Sequence, residues 1–76
     1  MNKQLTKNQL LHTEKTSEFI KAIKTLGYTL NRNSSGSHVI YSCTGKPSIT
    51  IVDGGHKVLS IGVRRQISNI LDPYLQ

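Results

Sequence analysis

Apolar residues at Phe19, Ile20, Ile23 and Leu26 recur with the spacing of one helix face, and Lys21 and Lys24 fall on the other side. Thr16 and Ser17 offer a hydroxyl cap, and Glu18 puts a negative charge in the first turn, where the helix dipole favours it. Gly27 follows where a helix can stop in the left-handed conformation. The pattern predicts a helix over 16–26. The period then changes to two: Tyr28, Leu30 and Arg32 share one side, Thr29 and Asn31 the other. The turn formers NSSGS (33–37) interrupt this strand, and HVIYSC (38–43) resumes an extended run. TGKP (44–47) reads as a turn, with Pro47 at the strand boundary because it has no N–H for a ladder. SITIV (48–52) is the third strand and DGGHKVL (53–59) a loop. From a cap at Ser60, Val63, Ile67, Ile70 and Leu71 mark a second amphipathic helix, which Pro73 ends.

The order helix, three strands, helix predicts an α+β fold (α-β-β-β-α). Its three-stranded antiparallel sheet carries both helices on one face. Residues 1–15 are mostly polar, with Leu5, Leu10 and Leu11 as isolated apolar points. They read as a flexible or weakly helical N-terminal arm, which leaves 16–76 as the domain. One point stays open. In the second strand His38, Ile40 and Ser42 share one side and Val39, Tyr41 and Cys43 the other, and both sides carry apolar residues. Alternation therefore does not say which side meets the helices, although the strand's end keeps His38 near solvent in either case.

Length narrows the possible functions. A chain of 76 residues makes one domain. A domain of this size buries only about 60% of its unfolded surface, so an open face or shallow groove is expected rather than a deep pocket. Such a surface suits polymers better than small metabolites. The net charge of +6 points to a polyanion or an acidic protein partner, although a solvated surface explains part of it. The single cysteine, Cys43, cannot form an internal disulfide and reads as a small core residue. No apolar run reaches the ~18 residues of a membrane span, and MNKQLTKNQLLHTEK lacks the apolar centre of a signal peptide. The expectation is a cytoplasmic protein that does not engage membrane.

The chemistry-bearing residues are few. His12, His38 and His56 lie in different segments without ligand spacing, so no metal is expected, and no phosphate-loop or GxGxxG motif implies a cofactor. A lone histidine amid cations does suit one reaction, cleavage of RNA by its own 2′-hydroxyl. There the nucleophile belongs to the substrate. The protein supplies a proton-transfer group, and the imidazole of free histidine titrates near pH 6.5. It also supplies cations for the crowded phosphorane, here Arg32, Lys57, Arg64 and Arg65. Gly36 lets a backbone approach a phosphate closely. The bland alternative is an edge histidine beside an ordinary turn.

Leu26-Gly27-Tyr28, Arg32, then Gly36-Ser37-His38, Tyr41, Gly54-Gly55-His56-Lys57 and Arg65-Gln66-Ile67 stand in an order that resembles the HicA toxin family over about residues 16–72. The resemblance implies a fold like the double-stranded-RNA-binding domain and the toxin role in a type II toxin–antitoxin system. It implies a ribosome-independent mRNA interferase, a metal-independent endoribonuclease, with His38 catalytic. Gly36 and Ser37 would shape the phosphate loop, and Arg32, Lys57 and Arg65 would hold RNA. A HicB-type antitoxin would neutralise the toxin. The chain departs from the family pattern at Val39, where many members carry a second histidine, and at Val52-Asp53, where many carry a proline. His56 is then a candidate second proton-transfer group. The same fold order also suits a non-catalytic RNA-binding module, which needs no histidine, or a basic domain that meets an acidic protein.

Overall fold

The computed structural model describes residues 5–31, 38–52 and 58–75. Its elements in order are α1 (Lys7–Leu11), α2 (Thr16–Lys24), β1 (Thr29–Leu30), β2 (His38–Cys43), β3 (Lys46–Val52) and α3 (Ile61–Leu71), followed by a 3-10 turn over Asp72–Tyr74. From α2 to α3 this is the expected α-β-β-β-α order around one antiparallel sheet, with strand order β1-β2-β3.

The helix ends differ slightly from expectation. Lys15, not Thr16 or Ser17, takes the cap position of α2, without a side-chain cap. Its backbone is held by a bridge to Val58, and Thr16 is already buried in the first turn. The helix stops at Lys24, and the Gly27 N–H closes the turn on the Lys24 carbonyl at 3.0 Å. Gly27 has φ +99°, and a Cβ there would meet Cys43 Sγ at 3.2 Å, so geometry and space both call for glycine. Ser60 caps α3 as expected, its Oγ accepting from the Val63 N–H at 3.3 Å.

Two strand boundaries also moved. β1 is only Thr29–Leu30, so the alternation over 28–32 overstates it. Tyr28 is buried, whereas Leu30 is 60% exposed although it lies on the same side. Pro47 lies inside β3 rather than at a boundary. β3 is an edge strand, and a missing N–H on an edge costs little. The Pro47 carbonyl is still used, accepting from the Tyr28 hydroxyl at 2.7 Å.

One irregularity decides the sheet's two faces. Next to the hairpin turn Cys43 pairs with Lys46; beyond it Tyr41 pairs with Ile49, Val39 with Ile51 and His38 with Val52. The register shifts by one residue between the Cys43 and Tyr41 pairs: Pro47 and Ser48 of β3 together stand opposite the single Ser42 of β2, so the extra residue lies in β3. Without that bulge Ile40, not Tyr41, would oppose Ile49, and the His38 side of β2 would share the face of Ile49 and Ile51. With it, Tyr41, Ile49 and Ile51 are buried together, and Val39 and Cys43 pack against them. The open point of the sequence is thereby resolved. Val39, Tyr41 and Cys43 face the helices, and His38, Ile40 and Ser42 face away.

The core joins that face to Phe19 and Ile23 of α2 and to Ile67 and Leu71 of α3. Both helices thus lie on one side of the sheet. Ile70, expected on the buried stripe of α3, is at its exposed margin. The described part of the N-terminal segment is helical. α1 opens with reciprocal bonds between Thr6 and Gln9, each 3.0 Å, and packs on α3. A five-residue helix has no stability of its own, so packing holds it. Leu10 is 0% exposed and belongs to the same core.

Candidate functional site

His38 opens β2 and is exposed. The residues sharing its face are Ile40 and Ser42 on β2 and Thr50 on β3, with Thr29 opposite Ser42 on the other side. Asn31, whose N–H donates to the Ile40 carbonyl at 2.8 Å, continues that row. No carboxylate stands among these residues. Those of the described chain, Glu14, Glu18 and Asp72, all belong to the helical elements and the link between α1 and α2. Among the described residues the face therefore offers hydroxyls, an amide and an imidazole, with no carboxylate to repel an anion.

Of the other residues singled out in the sequence, Gly36, Ser37, Arg32 and Lys57, like His56, lie outside the described residues. Arg65 is exposed on α3. Its relation to His38 follows from strand and helix direction. Tyr74, just past α3, places its ring 5.5 Å from Lys46 Nζ at the start of β3. α3 therefore runs back along β3, with Arg65 near its middle, in the helical layer and not on the sheet face of His38.

Arg64, read in the sequence as a cation for phosphate, has another task. Its Nε donates to the Leu59 carbonyl at 3.2 Å and one terminal nitrogen donates to the Leu11 carbonyl at 2.6 Å. The guanidinium ties the end of α1 and the entry to α3 together, and its planar fork suits two carbonyls at once. Nearby, the Leu59 N–H donates to the Glu14 carbonyl at 2.9 Å. The link between α1 and α2 thus holds the segment that enters α3.

Other polar residues prove structural. Lys46 donates to the Leu26 carbonyl at 2.6 Å, beside the half-buried Cys43 thiol. His12 closes α1 by a 2.8 Å bond between its Nδ1 and the Asn8 carbonyl. Tyr28 has its hydroxyl pKa raised, chiefly by burial and further by Cys43 and Tyr74. Sequence reasoning missed the polar row Thr29, Asn31 and Ser42. The period-two alternation of β1 and β2 marked each as sharing a side within its own strand, but pairing was needed to join them.

Among the described residues no three of His, Cys, Asp or Glu gather into a possible metal cluster, and no helix is long and apolar enough to cross a membrane. A family model described as the HicA toxin of bacterial toxin–antitoxin systems matches residues 16–72. That span runs from the first residue of α2 to just past α3 and leaves α1 outside. No curated protein and no solved structure matches the chain.

Proposed function

We propose that this chain, which belongs to the HicA toxin family of bacterial toxin–antitoxin systems, is a metal-independent mRNA interferase whose proton-transfer group is His38. The observation that supports this most is the placing of that histidine: exposed, at the end of β2, on a sheet face whose described residues include no carboxylate. The reaction needs little more from the protein. The RNA 2′-oxygen gives up its proton and bonds to the adjacent phosphorus; the bond to the 5′-oxygen breaks, and that oxygen takes a proton. His38 serves one of these transfers, and an open face lets water serve the other. Gly36 and Ser37 shape the backbone at the phosphate, and Arg32, Lys57 and Arg65 hold the strand. The RNA-cleaving unit is 16–76. A HicB-type antitoxin silences it in the cytoplasm by covering this basic protein with an acidic surface.

The test is growth after induced expression of the wild-type chain and of His38→Ala, with total RNA run alongside. Wild type should stop growth and degrade mRNA, and the variant should do neither at equal soluble level. The α-β-β-β-α order also favours a second reading, a non-catalytic module that reads the shape of double-stranded RNA. In that case RNA is bound and stays intact in both cultures.

A further inference from the structure

The sheet carries a second feature away from His38. Gly27, Thr29, Ser42, Cys43 and Thr44 line an open groove of ≈ 480 Å³ at the opposite end of β2 from His38. Three of the five carry hydroxyls. Thr29 and Ser42 are cross-strand partners, so their side chains stand side by side on the same face as His38. The Ser42 hydroxyl accepts from Asn31 Nδ2 at 3.3 Å and keeps its own O–H to donate. Thr29 Oγ1 reaches the Ser42 carbonyl only at 3.5 Å, and Thr29 and Thr44 are both exposed. The groove thus presents neutral donors and acceptors without a fixed charge. That chemistry reads the edge of a base or a ribose hydroxyl rather than a phosphate.

Its distance from His38 is set by the strand. Four residues of β2 span about 13 Å, and a stacked nucleotide advances about 3.4 Å, so about four stacked nucleotides, or fewer extended ones, bridge the two. Ile40 lies between them on the same face and gives a base an apolar surface to rest on.

We propose that the groove at Thr29, Ser42 and Thr44 is a nucleotide subsite. It would hold a single RNA strand laid along β2 a few nucleotides from the phosphate at His38, and so select which sequences are cut. This rests on the reading of the chain as an RNA-cleaving toxin, and adds to it a place where sequence is read.

The experiment has two arms, both with the full chain carrying Thr29→Val and Ser42→Ala together. In the first, cleavage sites on a long unstructured RNA are mapped for the variant and for wild type. The double variant should cut with a redistributed set of sites and a KM raised about tenfold, as expected from losing two hydrogen-bonding groups, with an unchanged unfolding midpoint. An unchanged site pattern with KM within about twofold would overturn the proposal. The second arm measures binding of a labelled ten-nucleotide RNA in a His38→Ala background. The groove substitutions should weaken it by a similar factor, and equal affinity would overturn the proposal. If wild type cuts nothing, this arm still decides. Weakened binding then keeps the groove while the cleavage reading falls, and equal binding removes both.

Discussion

Leu10 is the sharpest point at which to test how the fold is held. It lies on a five-residue helix outside the span shared with the HicA family, yet its side chain is 0% exposed and joins the core of α2, α3 and the sheet. Truncating it to alanine removes the transfer energy of three carbons and leaves a cavity, together worth about 2–5 kcal/mol for a buried leucine. At roughly 0.05–0.15 kcal/mol per residue a chain of this size has a total stability of about 4–11 kcal/mol. Leu10→Ala should therefore remove at least about a fifth of it, and about half at mid-range values. With about 4–8 °C per kcal/mol for a domain this small, the midpoint should fall by about 8–40 °C. The assay is thermal unfolding followed by circular dichroism, with Leu30→Ala as the comparison. Leu30 is 60% exposed and should cost within about 0.5 kcal/mol. A Leu10→Ala midpoint matching that of Leu30→Ala would refute the docking of α1 and the inclusion of this segment in the core.

Substitutions at three other residues probe polar groups. Arg64→Met should lower unfolding free energy by about 1–3 kcal/mol, because the Leu11 and Leu59 carbonyls lose a charged donor; Arg64→Lys should recover little of it in denaturant titration, since an ammonium lacks the fork. Ser68 is 0% exposed and its Oγ has no hydrogen-bond partner among the described residues, so Ser68→Ala should be neutral or stabilising by up to about 1 kcal/mol in the same titration. Tyr28, whose hydroxyl donates to the Pro47 carbonyl, has its pKa raised above the usual 10.0, chiefly by burial and further by Cys43 and Tyr74. The folded state then keeps a proton that the unfolded chain releases. That contribution is fully present below about pH 10 and is lost as pH rises through the folded pKa. Tyr28→Phe should flatten this alkaline loss while lowering stability near neutrality by about 1 kcal/mol; an unaltered pH profile would count against it.

The sequence disclosed the two long helices because each shows one clean apolar stripe, and it disclosed the strand HVIYSC at its observed bounds. It did not disclose which side of that strand is buried. Val39 and Tyr41 compete with Ile40 as apolar candidates, and the register that decides between them turns on one extra residue in β3, where Pro47 and Ser48 stand opposite Ser42. Leu10 was legible only as an isolated apolar residue, since five helical residues are too few to show a period. Arg64 and Arg65 look equivalent in sequence, yet the helix sends the first to two backbone carbonyls and leaves the second exposed. His38 was legible as a residue near solvent at a strand end; its place on the sheet face turned away from the helices required the pairing of the strands.

The most direct test of the central claim compares purified wild type with His38→Ala on a defined RNA, in buffer with a chelator so that metal chemistry plays no part. Wild type should cut the RNA. The variant should cut at least about 100-fold more slowly, in keeping with removal of a general acid or base, while retaining its unfolding midpoint and its RNA affinity. Equal rates for the two proteins would contradict the role given to His38, and intact RNA with both would contradict cleavage itself.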